Sequence, residues 1–145
     1  MRRIIGFAFL VFISFACNKD NDEIIPEVRF SAEVDLDNPQ YNGKNPFIVR
    51  PGGLNRIVGI NGVVVFGVTN SEFYAFDLLC THEHEKAGFF YVEMTEPGSI
   101  VMKCPECESE FSVAAEYGSV IQGPAKWALK RYQTDVRGST LRIWN

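Results

Sequence analysis

No run of lysine and arginine occurs in this sequence. Acids outnumber bases by 18 to 14, for a net charge of −4, and without a basic stripe to follow phosphates the chain is not built for nucleic acid. Long hydrophobic runs are equally scarce. The single strongly apolar stretch is short, which excludes a polytopic membrane protein. No segment carries a sustained helical stripe, and neither an internal repeat nor a second-domain boundary is visible. Histidine is limited to 2 residues and cysteine to 4. What is present is globular: 46% hydrophobic residues with 12 Phe, 5 Tyr and 2 Trp in 145 residues. That is enough apolar surface for one domain with a core, and too much for a disordered chain.

The apolar stretch sits at the N-terminus. Met1-Arg2-Arg3 is basic, residues 4–15 are almost wholly apolar, and after Ala16-Cys17 the chain turns polar in Asn18-Lys19-Asp20-Asn21-Asp22-Glu23. A charged start, a short apolar core and a small residue at its end form the pattern of a secretory signal peptide, expected over residues 1–16. A helix of that core spans about 18 Å, short of the ~30 Å needed to cross a bilayer, although a short membrane anchor stays open. Ala16-Cys17 resembles a bacterial lipoprotein box, with Ser14 where leucine is usual. The resemblance implies that Cys17 becomes the lipidated first residue of the mature chain, followed by a polar tether to residue 27. Lys19-Asp20 with its acidic neighbours resembles the export signal of some surface lipoproteins. A plain secreted protein, or a buried Cys17, is the alternative. Loss of residues 1–16 removes Arg2 and Arg3, leaving 12 bases against 18 acids and a charge of −6. Such a surface has no charge attraction to anionic lipid, so a lipid on Cys17 would do the anchoring. The expected location is the outer membrane or cell surface of a Gram-negative bacterium, or its periplasm.

Residues 28–145 read as an all-β domain. Val28, Phe30, Ala32, Val34 and Leu36 alternate with polar residues, the period of a half-buried strand. Residues 56–60 and 63–68 are β-branched runs separated by Asn61-Gly62, a strong hairpin signal. Further strands are expected at 73–77, 100–103, 110–113, 131–136 and 140–144, the last two joined through Gly138-Ser139. Short strands at this spacing suggest a sandwich or small barrel. Residues 78–99 and 104–127 are irregular, and irregular segments are where function tends to sit.

Those segments hold the cysteines that matter. With Cys17 set aside, Cys80, Cys104 and Cys107 remain, an odd number that cannot all pair within an exported chain. Both histidines, His82 and His84, lie within four residues of Cys80. Cys80-Thr81-His82 and Cys104-Pro105-Glu106-Cys107 thus offer two soft or borderline ligands each, suited to a tetrahedral metal or to the four terminal positions of a two-iron cluster. A Cys104–Cys107 disulfide with Cys80 idle is the plain alternative.

The pattern resembles the Rieske iron–sulfur family, whose motif is Cys-x-His followed by Cys-x-x-His on two loops. Cys80 and His82 match the first half. Cys104 and Cys107 match the second, with cysteine in place of the last histidine. Phe111, Gly118, Gly123-Pro124-Ala125, Leu129 and Tyr132 resemble the family's aromatic, glycine turn and Gly-Pro cover of the cluster. The resemblance implies an antiparallel β sandwich or barrel with an inserted cluster-binding subdomain, here about residues 78–125. It implies a [2Fe-2S] cluster on Cys80, His82, Cys104 and Cys107, with His84 as reserve ligand. Ser109, Gly123 and Pro124 would form the surrounding layer, Ser109 matching a serine that hydrogen-bonds a sulfide in high-potential relatives.

The departure at Cys107 has consequences. Two thiolates cancel the charge of the oxidised core, and a third leaves it negative, which disfavours taking up an electron. The potential is expected between the Rieske range of about −150 to +300 mV and the plant-type value of about −400 mV. Glu83, Glu85, Glu106, Glu108 and Glu110 add negative charge that salt would screen. Phe111 lacks the hydroxyl that high-potential relatives carry there, and Glu85 and Glu106 stand where those relatives have a disulfide. Quinol oxidation and oxygenase catalysis are therefore not expected, and with both histidines drawn to the metal no imidazole remains as a general base. The resemblance points to a non-catalytic electron carrier serving an unidentified redox protein of the envelope. A structural zinc site on the same residues, or a Rieske-like fold without a cluster acting as an interaction module, are the alternatives.

Overall fold

The computed structural model describes residues 24–82 and 89–145. The signal peptide, Cys17, the Lys19-Asp20 signal, Glu83, His84 and Glu85 lie outside the described residues. Within them every regular element is a strand, and every strand pairing is antiparallel.

The larger sheet contains β1 (Ser31–Asp35), β2 (Phe47–Val49), β3 (Val63–Gly67), β4 (Phe73–Asp77), β9 (Arg131–Arg137) and β10 (Thr140–Trp144), in the order β1-β10-β9-β4-β3-β2. It curls into a half-barrel. The smaller sheet runs β5-β6-β7-β8, from Glu93–Met94, Val101–Lys103, Glu110–Ser112 and Val120–Gln122. This is the all-β, Rieske-like arrangement expected, with the small sheet inserted between β4 and β9.

Strand β1 alternates exposed and buried residues as its sequence pattern requires, with Ala32 and Val34 in the core. Strands β3 and β4 do not alternate, and the reason is tertiary. Val63, Val65 and Ala75 pack into the core of the large sheet, whereas Val64 and Phe76 point the other way, into the core of the insert. Both faces are covered, so the run 63–65 is continuously apolar. The loops that carry the cysteines are therefore mounted on the back of this hairpin.

Two edges are closed by asparagine side chains. The Asn55 amide accepts from the Glu33 N–H (3.0 Å) and donates to the Glu33 carbonyl (2.7 Å), as a neighbouring strand would on β1. Asn45 treats Gly67 in the same way, at 2.8 and 2.7 Å. Edge groups satisfied like this are not open to pairing with another chain.

One strand expectation fails. Residues 56–60 are not a strand, and Asn61-Gly62 does not close a hairpin. The N–H of Ile60 is bound by the Asp77 carboxylate (2.8 Å) and that of Gly62 by the Val58 carbonyl (2.8 Å), so neither is free for a ladder. Phe47–Val49 takes the place beside β3 instead. Strands β5 and β8, of two and three residues, fall in segments read as irregular, and the three-residue β2 falls where no strand was expected.

Candidate metal centre

The first ligand loop leaves β4 at Asp77. Its carboxylate is fully buried and accepts three hydrogen bonds: from Leu79 N–H (2.7 Å), Ile60 N–H (2.8 Å) and the Tyr132 hydroxyl (2.7 Å). Burial pushes its pKa up from the ordinary carboxylate value, and the hydrogen bonds only partly oppose that. The loop is also tied across its ends, by Cys80 N–H to Phe90 O (2.9 Å) and Val92 N–H to Leu78 O (2.7 Å). Thr81, nearly fully buried, donates its hydroxyl to the Trp127 carbonyl at 2.6 Å, fastening this loop to the segment that follows β8.

The second loop joins β6 to β7. Cys104 N–H donates to Ser109 O (2.9 Å) and Glu108 N–H to Cys104 O (3.0 Å), which folds residues 104–109 into a tight turn. Glu108 has φ +59°, so the turn keeps the left-handed residue that glycine usually provides, at a side-chain cost.

Between the loops the three sulfurs meet. Cys80 and Cys107 Sγ are 3.6 Å apart, and with Cys104 all three lie within 4.8 Å of one another. Cys80 and Cys104 are buried, and Cys107 is half-buried. Burial raises the Cys104 pKa, against the pull of the Cys107 and Glu106 N–H groups. Burial acts the same way on Cys107, but the Ser109 hydroxyl and N–H and the neighbouring thiols outweigh it, and its pKa falls. A cation here would reverse the cost of ionising all three thiols together.

Ser109 organises the surroundings. It is fully buried, its Oγ accepts the Ala125 N–H (2.9 Å), and it touches Cys107 Sγ at 3.2 Å. The Cys107 thiol donates to that oxygen, and the thiolate accepts from its hydroxyl. Gly123 crosses directly over Ser109 with φ +99°, and a Cβ there would stand 2.5 Å from Ser109 Cα. Pro124 is exposed. The Gly-Pro segment thus clasps the second ligand loop through backbone, at the positions singled out in the sequence.

His82 is exposed and stands outside the three-thiol group. The glutamates of the second loop are less unopposed than the sequence implied. Lys103 Nζ lies 3.9 Å from Glu108 and 3.7 Å from Glu110, so one cation offsets part of their charge. Asp77 is the functional residue that motif reading missed. Its signal was an acid at a strand end inside the apolar run Phe76-Asp77-Leu78-Leu79.

No protein-family model matches the chain, and no curated protein matches it. Among solved structures, a chain of the complex of reduced oxygenase and oxidized ferredoxin in carbazole 1,9a-dioxygenase superposes with a TM-score of 0.53 at 20% identity, covering 81% of this chain and 94% of that one. At that identity the likeness establishes the fold. The three adjacent thiols are, beside that fold, a group that could hold a metal ion.

Proposed function

We propose that the protein is an electron-transfer module carrying a [2Fe-2S] cluster on Cys80, His82, Cys104 and Cys107, and that it exchanges single electrons with a redox protein of the bacterial envelope, where a lipid on Cys17 anchors it. The observation that carries this reading is the meeting of three thiols from two separate loops on a Rieske-like scaffold. The donor set fits the group. Three sulfurs converge, two of them buried, with the Ser109 hydroxyl and backbone N–H groups directed at them to ease their charge. His82, two residues beyond Cys80, would supply the fourth donor, with His84 in reserve.

A bound cluster supplies reversible one-electron chemistry. The chain's own residues hold and shield it. Asp77 fixes the start of the first loop, Ser109 hydrogen-bonds Cys107, and the Gly123 crossing and Thr81 keep the loops together. Buried, hydrogen-bonded sulfurs are among the levers that set such potentials.

The separation of 3.6 Å favours a second reading. Two thiolates on one tetrahedral Zn²⁺, each at about 2.3 Å, stand roughly 3.8 Å apart. Zinc on the same residues would pin the loops and leave an interaction module. Absorption spectroscopy with iron, sulfide and zinc analysis of anaerobically purified protein decides between them. Visible bands with about two irons and two sulfides per chain support the cluster. A colourless protein with one zinc supports the second reading, and a colourless protein that takes up no metal overturns both.

A further inference from the structure

We propose that, without metal, the site oxidises to a Cys80–Cys107 disulfide that staples the two ligand loops, in place of the Cys104–Cys107 bridge that the Cys-x-x-Cys spacing suggests. The inference holds whichever metal the reduced site takes. Three observations carry it. The Cys80 and Cys107 sulfurs are 3.6 Å apart, which leaves about 1.5 Å to close to the ~2.05 Å of a disulfide. Cys107 alone of the three is partly open to solvent, so an oxidant reaches it first, while Cys80 is buried beside it. Cys104 is buried, and its main chain is held on both sides, by Ser109 O at 2.9 Å and Glu108 N–H at 3.0 Å. A bridge from Cys80 also closes a long loop, which restricts the unfolded chain more than a bridge inside a four-residue turn.

The oxidant is a disulfide, of a small thiol or of a protein dithiol. The Cys107 thiolate attacks one of its sulfurs, the oxidant's S–S bond breaks, and one thiolate leaves. The Cys80 thiolate then attacks Cys107 Sγ and expels the second. Two cysteines lose two electrons, one external disulfide is reduced to two thiols, and the two cysteine protons end on the released thiols. The product removes two of the three thiols from the site, so the bridge excludes metal. In an oxidising compartment it would gate loading.

The test uses the full chain, stripped with a chelator under reducing conditions and then exposed to oxidised glutathione. Remaining thiols are alkylated, and the unreduced protein is cleaved for mass spectrometry. Cleavage after Lys19, Lys103 and Glu106 places Cys80, Cys104 and Cys107 on three different peptides, with Cys17 on a fourth. The expected product links the Cys80 and Cys107 peptides and leaves Cys104 alkylated. A Cys104–Cys107 or Cys80–Cys104 link, or three alkylated thiols, overturns the proposal. In a second arm, Cys104→Ser still forms the bridge and Cys80→Ser does not; the opposite result also refutes it. Metal uptake by the reduced protein is read on the same preparation. Uptake without this disulfide sinks the present inference alone, and this disulfide without uptake supports it while sinking the reading of the reduced site.

Discussion

Replacing Gly123 with alanine tests whether the Gly-Pro segment is a clasp on the ligand loop or only a surface turn. The new Cβ would lie 2.5 Å from Ser109 Cα and 2.8 Å from Ser109 Oγ, where ordinary contact begins at 3.4 Å. The two chains must therefore separate by about 0.9 Å, the difference between those values. That stretches the 2.9 Å hydrogen bond from Ala125 N–H to Ser109 Oγ past any useful length. A buried donor left without its partner costs about 1–3 kcal/mol, and φ +99° adds strain of about 1–3 kcal/mol for a residue with a side chain. The terms overlap, so a loss of about 3 kcal/mol is expected, roughly 10 °C in melting temperature for a domain of this size. Gly98→Ala is the control: its φ is +81° but nothing lies within 4 Å of the new Cβ, so it carries strain without collision. Thermal melts of reduced, metal-free protein compare the two, and metal retention against a chelator reports on the ligand loop. Equal melting temperatures and equal metal retention for the two variants would refute the clasp.

Four further perturbations follow from the same contacts. Ser109→Ala leaves the Ala125 N–H unpaired, at about 1–3 kcal/mol, and takes a hydrogen bond from Cys107, so the pH profile of Cys107 alkylation in the metal-free protein moves upward; an unmoved profile contradicts the assignment. Asp77 is pushed above its unfolded value of 3.8 by burial, so the native state holds its proton more tightly than the unfolded chain. Stability from this group is therefore greatest at low pH and declines as pH rises from the unfolded value through the folded one. Asp77→Asn removes that decline in urea titrations and costs about 1–3 kcal/mol for the N–H or hydroxyl it cannot accept. Phe76→Ala opens a cavity where the ring meets Gly118 and the insert core, at about 3–5 kcal/mol by denaturant unfolding, whereas Lys103→Ala, whose ion pairs are exposed, changes stability by less than about 1 kcal/mol.

The sequence by itself determined the class of the fold and singled out the three cysteines that meet. Alternation at Ala32 and Val34, the Gly138-Ser139 hairpin between β9 and β10, and the Cys-x-x-Cys spacing of Cys104 and Cys107 are local signals, set by side-chain period, turn chemistry and ligand geometry. They do not depend on what lies across the molecule. The Rieske resemblance singled out Ser109 and Gly123 as surroundings of the site; that their backbones cross is what the structure adds.

Only the tertiary structure decided the rest. The run at 56–60 has strand composition, yet its Ile60 N–H is claimed by Asp77, 17 residues further along, and no local pattern records that bond. Phe47–Val49, Glu93–Met94 and Val120–Gln122 are too short to show a period, so their pairing depends on neighbours supplied by distant chain. The buried Asp77 reads as a strand-end acid until Tyr132, 55 residues away, is packed onto it. The closeness of Cys80 to Cys107 is likewise a property of two separate loops brought together by the fold. A Cys-x-x-Cys spacing favours its own members, and the packing of β3 and β4 beneath the insert is what brings the third sulfur within reach.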